Sequence, residues 1–166
     1  MSVKRRRSYE TGHRPKFIVV VDDTPECARA IHFAARRASR TGASMVMLAA
    51  VDPPDNFEWI GVGEAMVAEA QEEAQKRLDE AAQEARSAAG LEPEQVIVVG
   101  DKAEAIAKVI EEDEDISFLV LAASVGKDGP GPLVTAIAGK AVSAFPIPVV
   151  IVPGRLTDEQ IEALAG

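Results

Sequence analysis

The stretch from Ile116 to Val152 restricts the fold of this chain more than any other part of the sequence. An apolar run at 116–123 leads into a glycine-rich loop at 124–131, which is followed by a helical pattern and a second apolar run at 149–152. Continuous runs of Val, Ile and Leu are typical of parallel strands that are buried on both faces. We therefore predict a strand, loop, helix, strand unit. Ligands of open parallel sheets bind at the carboxyl ends of the strands, where this loop lies.

The rest of the chain alternates between strand and helix patterns in the same way. Further strands are predicted at 17–21, 45–51 and 96–99, and further helices at 25–41, at 64–89, after Asp101 and after Thr157. Thr24 is predicted to cap the first helix, and Asp101 and Thr157 are predicted to begin capping boxes. Strands that alternate with helices pair in parallel through right-handed crossovers. The predicted fold is α/β: a five-stranded parallel sheet sandwiched by helices, Rossmann-like or flavodoxin-like, with a short C-terminal helix.

The length of the chain, 166 residues, is typical of one domain. Residues 1–15 are polar and basic, and we expect a flexible, solvated tail there. The alternative is that this basic segment is an electrostatic tether to acidic lipid or nucleic acid. The domain is expected to span 16–154, and residues 155–166 are expected to form a C-terminal tail helix.

Charge and cysteine content argue against several classes of function. The net charge is −9, and because phosphates would be repelled, we expect no nucleic-acid binding. A single cysteine, Cys27, excludes an internal disulfide and is typical of a reducing cytoplasm. No apolar stretch reaches the length of a membrane span, and no apolar signal core follows the basic N-terminus. We therefore predict a cytoplasmic protein.

The sequence lacks the common catalytic and metal-binding motifs. The pair Gly139-Lys140 is followed by Ala141, so it does not form a Walker A loop, and no dinucleotide fingerprint follows the first strand. His13 and His32 have no cysteine or histidine at metal-ligand spacing. No Ser-His-Asp set suggests itself either. We predict no catalytic residue and no metal site formed by side chains of this chain.

Two polar clusters remain, and both follow strand patterns. One is Asp22, Asp23 and Thr24, and the other is the loop from Ser124 to Gly131. If their strands are neighbours, the clusters meet where nucleotides bind in open sheets. A carboxylate would accept hydrogen bonds from a base or ribose, while glycine N–H groups and the next helix N-terminus would bind phosphate. The alternative is structural: the glycines and prolines make a tight connection, and the carboxylates are solvated.

Taken in order, the segments of the chain resemble the universal stress proteins of the UspA family. The family's opening motif, Val-Asp-Gly-Ser-Glu, is matched at 18–26, with Asp23 in the position of the glycine. Its later motifs are matched at four further segments: 50–54, 99–106, 119–124 and 146–153. This resemblance covers about 15–153 and implies the same parallel fold.

The resemblance also implies an adenine-nucleotide site, although the glycine motif of ATP-binding members is altered. Ala123 stands in place of the first glycine, twelve residues separate Gly126 from Gly139, and Lys140 replaces a hydroxyl residue. Lys127 or Lys140 could compensate by contacting phosphate. Asp22 would bind the base or ribose, Ala50 would contact the base, and Gly139 would allow a close approach of the helix. The implied site residues are Asp22, Asp23, Thr24, Ala50, Ser124, Gly126, Lys127, Gly129, Gly131, Gly139 and Lys140.

The function implied by the resemblance is that of a non-catalytic stress-response protein that binds ATP or AMP, with magnesium accompanying ATP. It also implies a homodimer formed through the strand at Val149–Val152, which we expect at a sheet edge where a monomer would expose it. The competing expectation is that 156–165 fold back over that edge. One alternative function is an interaction module without nucleotide. The other is a phosphoryl-accepting receiver domain, because Asp22, Asp23 and Ser124 resemble its acidic pair and hydroxyl residue.

Overall fold

The computed structural model describes residues 5–53, 62–139, 143 and 145–166. Its strands are β1 (Lys16–Val20), β2 (Ser44–Val51), β3 (Glu94–Val99), β4 (Ile116–Ala123) and β5 (Val149–Pro153). Its helices are α1 (Cys27–Thr41), α2 (Val62–Ala89), α3 (Lys102–Glu112), α4 (Pro132–Ala138) and α5 (Asp158–Leu164). The strands form one parallel sheet in the order β3-β2-β1-β4-β5. The predicted fold class is confirmed, and β5 lies at an edge.

The core has two layers, one on each face of the sheet. On one face α1 and α2 pack against Val19, Met45 and Met47, and on the other α3 and α4 pack against Ile18, Leu48 and Leu119. Because successive side chains of a strand point to opposite faces, a strand buried on both faces needs an uninterrupted apolar sequence, as β1 has. The packing of α1 on α2 is close because their buried faces consist mainly of alanine. Within the described ranges, none of the helices has the length and apolar character needed to cross a membrane.

Local signals explain how most of the helices begin and end. Gly42 follows α1 with φ +74°, a left-handed conformation that favours glycine. The Asp101 carboxylate accepts hydrogen bonds from the N–H groups of Ala103 and Glu104, so it caps α3. The reciprocal capping box predicted before α5 is formed between Thr157 and Gln160.

The predicted N-cap of α1 is wrong. The helix begins at Cys27 after Glu26, and no side chain caps it. Thr24 lies one turn earlier, and its hydroxyl donates to Asp22 Oδ1 instead of to a helix N–H group. The side-chain hydroxyl therefore stabilises the turn that holds Asp22.

The described part of the N-terminal segment, residues 5–15, packs on the domain near the end of α3. The Arg6 guanidinium donates to the carbonyl oxygens of Ile110 and Asp113 at 2.9 and 3.0 Å. Ser8 is buried, and His13 Nδ1 lies 2.6 Å from a carboxylate oxygen of Asp115. The sequence predicts a solvated tail here, whereas residues 5–15 contact the domain. The contact of Arg6 has a physical reason: α3 ends without a basic residue of its own, and Arg6 supplies the cation there.

Other arginines of this segment also have internal partners. Arg5 and Arg7 both pair with Glu10, at 3.2 and 2.7 Å, and Arg14 donates to the carbonyl oxygen of Gly42. The positive charge of the segment is therefore partly neutralised by its own acidic residue. This arrangement argues against the alternative in which the segment is an electrostatic tether.

The C-terminal helix α5 packs on α1 rather than along β5. Ile161 is fully buried, and acidic side chains of α5 face basic side chains of α1. Glu162 contacts His32 Nε2 at 2.7 Å and Arg36 Nε at 2.9 Å, while Asp158 pairs with Arg29 at 2.6 Å. The expectation that 156–165 cover the β5 edge is wrong, because the helix is drawn onto α1 by this charge pairing. Ile151 on β5 remains 38% exposed.

Candidate functional site

The register of the sheet brings three of the predicted site residues to one edge. Val20 of β1 pairs with Leu48 of β2, so Asp22 continues level with Ala50. Val19 of β1 pairs with Val120 of β4, and the same register, continued past the end of β1, places Ser124 level with the residue after Asp22. Neighbouring strands are about 4.8 Å apart. The carboxyl end of β1 therefore carries Asp22 between Ala50 on one side and Ser124 on the other.

The Asp22 carboxylate is held by contacts on both of its oxygens. Its Oδ1 accepts hydrogen bonds from the Thr24 backbone N–H at 3.0 Å and the Thr24 hydroxyl at 2.5 Å. Its Oδ2 lies 3.3 Å from Nζ of Lys102, the first residue of α3. The Asp22 side chain is 17% exposed, so it is oriented by protein contacts and still reachable by a ligand. Asp23, the next residue, is exposed.

The loop after β4 folds back on its first residue. The Ser124 N–H donates to the carbonyl oxygen of Pro130 at 2.9 Å, and its hydroxyl accepts from the Gly126 N–H at 3.3 Å. Gly129 and Gly131 have φ values of +92° and +105°, which favour glycine over other residues. The loop and the first turn of α4 line a cavity of about 580 Å³ that includes Ser124, Asp128 and Thr135. This loop is compact, and its Lys127 is exposed.

Two further cavities adjoin the same edge of the sheet, on the side of α1 and α2. One, of about 420 Å³, is lined by Ala50 to Pro53 and by apolar side chains of α2, including Met66, Val67 and Ala70. The other, of about 290 Å³, is lined by Asp22 to Pro25 and by α2. Arg77 of α2 lines both cavities. An apolar wall next to a polar turn is suited to a ligand with a flat apolar part and polar substituents.

Two of the predicted site residues are not placed with the others. Gly139 follows the C-terminal end of α4, which is seven residues long, whereas the loop precedes its N-terminal end. With a rise of 1.5 Å per residue, Gly139 lies about 10 Å along the helix from that loop. A side chain at Gly139 would meet the carbonyl oxygen of Thr135 in α4 itself, so the structure does not place Gly139 beside the loop. Lys140 lies outside the described residues.

Sequence reasoning missed three residues of this region. Thr135 lines the cavity beside Ser124, Arg77 joins the two cavities near α2, and Lys102 contacts Asp22. A weak signal existed for Lys102, because it follows shortly after a predicted strand end. No signal in the sequence indicated which partner it would reach.

The buried thiol at this edge is not reactive. Cys27 lies under the turn formed by Asp22 to Pro25, and burial raises its pKa to about 12. Burial therefore favours the protonated thiol at neutral pH over the nucleophilic thiolate. Within the described part of the chain, no group of three or more His, Cys, Asp or Glu side chains is arranged to hold a metal ion.

The sequence profile described as Universal stress protein family matches residues 13–153. This chain belongs to the universal stress protein family. The match covers β1 to β5 and includes both polar clusters of the site. No curated protein is similar enough in sequence to count as a match.

Solved structures of universal stress proteins resemble this one in fold. UspA from Lactobacillus plantarum has a TM-score of 0.68 at 17% identity, over 83% of this chain and 97% of that protein. The protein from Archaeoglobus fulgidus in complex with dAMP has a TM-score of 0.59 at 19% identity, over 83% and 97%. A universal stress protein in complex with cAMP has a TM-score of 0.53 at 20% identity, over 84% and 97%. At such identities the likeness concerns the fold, and the roles of individual residues must be argued from this chain.

Proposed function

We propose that this universal stress protein binds an adenine nucleotide, AMP or ATP, at the carboxyl edge of its sheet. The observation that carries the proposal is the alignment of Ala50, Asp22 and Ser124 on three adjacent strands, with a cavity on either side. The base would occupy the cavity between Ala50 and α2, the ribose would bind at Asp22, and the phosphates would lie at the Ser124 loop. The complexes of two related folds with dAMP and cAMP support adenine nucleotides as the ligand class.

The phosphate part of the site would depend on the loop more than on the helix. Because α4 is only seven residues long, the loop itself would supply the contacts, through N–H groups at Gly129 and Gly131, since the Gly126 N–H already donates to the Ser124 hydroxyl. Lys127 is exposed in this loop and would add a point charge. Magnesium would accompany ATP and not AMP, since it would be held by the phosphates. The described residues that line the site include no nucleophile next to a base, so we propose a binding role without catalysis.

Asp22 provides the test of this site. Replacing it with asparagine keeps the shape of the side chain and removes the charge that would accept hydrogen bonds from ribose hydroxyls. Since a hydrogen bond to a charged group contributes about 1.5–3 kcal/mol, we expect Asp22→Asn to weaken AMP and ATP binding at least about tenfold. Isothermal titration with and without magnesium measures this. Glu72→Gln, an exposed carboxylate on α2, is the matched control and should bind as the wild type does.

An absence of heat with AMP and ATP at millimolar concentration would reject nucleotide binding. The protein would then be an interaction module of the same fold. The receiver-domain alternative is disfavoured by the structure, because the Asp101 carboxylate after β3 caps α3 and is not directed to Asp22. Incubation with magnesium and beryllofluoride, without an effect on the melting temperature, would confirm its rejection.

We also propose that the protein is a cytoplasmic homodimer that pairs through β5. This strand lies at the edge of the sheet, and its Val149 and Val150 are half-buried while Ile151 is exposed. An edge strand has unpaired N–H and C=O groups, and pairing with a second copy about a two-fold axis would satisfy them. The absence of α5 from this edge leaves it open to such pairing.

A further inference from the structure

Lys102 reaches across one strand to contact Asp22. It begins α3 just after β3, whereas Asp22 follows β1, and β2 lies between these two strands. The Lys102 Nζ is nevertheless 3.3 Å from Asp22 Oδ2. The contact therefore bridges the carboxyl end of β2, where Ala50 lies level with Asp22.

The two oxygens of Asp22 are not equally open to a ligand. A carboxylate oxygen offers about two lone-pair sites, and both sites of Oδ1 are filled by the N–H and hydroxyl of Thr24. Among the residues that the structure describes, Oδ2 accepts one contact, from Lys102, and so retains one site. A ligand hydroxyl that binds to Asp22 would therefore bind at Oδ2, beside the ammonium group of Lys102.

Lys102 keeps donors for such a ligand. An ammonium group has three N–H donors, and Asp22 accepts only one of them. Lys102 is 40% exposed, and among the described residues Asp22 is the partner of its ammonium group, so donors remain for a ligand. Asp23 follows Asp22, and the cavities along α2 carry both acidic side chains, Glu73 and Glu80, and the cation of Arg77. An anionic group on a ligand would be favoured next to the ammonium group of Lys102.

We propose that Lys102 is a specificity-determining residue that makes the site favour adenine nucleotides with a phosphate on the 2′ or 3′ oxygen of the ribose. The inference rests on the proposed function, in which a ribose hydroxyl binds to Asp22. A phosphate on the neighbouring ribose oxygen is then within reach of the Lys102 ammonium group. A 5′-phosphate leaves the opposite side of the sugar ring and extends toward Ser124 and Lys127, so it gains little from Lys102.

The test compares adenosine, 3′-AMP and 5′-AMP by isothermal titration. We expect the wild-type protein to bind 3′-AMP about tenfold more tightly than adenosine, as one charge-assisted hydrogen bond would give. Lys102→Met keeps the aliphatic part of the side chain and suits a helix, and it should abolish this preference. The ratio of the affinities for 5′-AMP and adenosine should be the same in Lys102→Met as in the wild type. Lys102→Arg should keep the preference, as should Lys108→Met, which removes an exposed lysine from the same helix.

The outcomes separate this inference from the proposed function. If adenosine and 5′-AMP bind but Lys102→Met keeps the full preference for 3′-AMP, the role of Lys102 is overturned and the nucleotide site stands. The same conclusion applies if the wild type has no preference for 3′-AMP. If the wild-type protein binds none of the three compounds at millimolar concentration, the proposed function is wrong and this inference is rejected with it.

Discussion

Removing the Arg6 guanidinium should lower the stability of the whole domain, although Arg6 belongs to a segment whose sequence is typical of a solvated tail. The guanidinium donates to two carbonyl oxygens at the end of α3, of Ile110 and Asp113, and approaches a third, of Ile116, at 3.5 Å. The carbonyls of Ile110 and Asp113 lie at the negative end of the α3 dipole, and α3 has no basic residue in its last turn. Arg6→Met keeps most of the aliphatic contacts and removes the donors.

The size of the effect follows from the two shorter contacts. Hydrogen bonds to a charged group contribute about 1.5–3 kcal/mol each when fully buried, and partial exposure of Arg6 reduces the sum to roughly 2 kcal/mol. For a chain of this size each kcal/mol shifts the melting temperature by about 2–4 °C, so we expect a fall of about 4–8 °C. Thermal unfolding followed by circular dichroism measures it.

A matched control lies next to Arg6 in the sequence. The Arg5 side chain is 86% exposed and contacts only Glu10 among the ion pairs of the described residues. Arg5→Met removes the same charge and should leave the melting temperature almost unchanged. Equal melting temperatures for Arg6→Met and Arg5→Met would refute the reasoning, and the segment would then be the solvated tail that its composition predicts.

Three further predictions follow from β5, from the buried thiol and from the pairing of α5 with α1. Ile151→Lys should convert the proposed dimer to a monomer, as measured by light scattering. The control is Val99→Lys on β3, the opposite edge strand, where Val99 is 43% exposed; this variant should remain a dimer. A wild-type protein that is monomeric at tens of micromolar would contradict the dimer. The Cys27 thiol, with its pKa raised to about 12 by burial, should react with a thiol reagent only when the protein unfolds, and reaction in the native state would show that the turn above it opens. The pKa values of Asp158 and Glu162 are lowered in the folded state, mainly by hydrogen bonds from Arg29 and His32 respectively. The stability that these two carboxylates contribute is therefore present above their unfolded-state pKa values of 3.8 and 4.5, and it is lost as the pH falls through the folded-state values. The melting temperature should therefore fall below about pH 4.5 less steeply in a variant carrying Asp158→Asn and Glu162→Gln, and parallel curves would be inconsistent with this pairing.

The amino-acid sequence by itself determined the order of strands and helices. Uninterrupted apolar runs predict buried parallel strands, and every predicted strand lies within one or two residues of its observed position. Gly42 after α1 and the capping box of Thr157 with Gln160 were predictable for the same reason. Each of these features depends on residues within about four positions of one another, so no knowledge of the packing is needed.

The tertiary structure alone decided which side chains share the site. Lys102 and Asp22 are 80 positions apart in the sequence. They meet because the strands that precede them, β3 and β1, are separated in the sheet by β2 alone. Arg6 and Ile110 are 104 positions apart, and their contact changes a segment of tail-like composition into part of the domain. The resemblance to the family motif implied Gly139 as a site residue, but its distance from the loop depends on α4 beginning at Pro132. Each cation of this acidic chain has many carboxylates and carbonyls as potential partners, and only the packed sheet and helices determine which of them lies within reach.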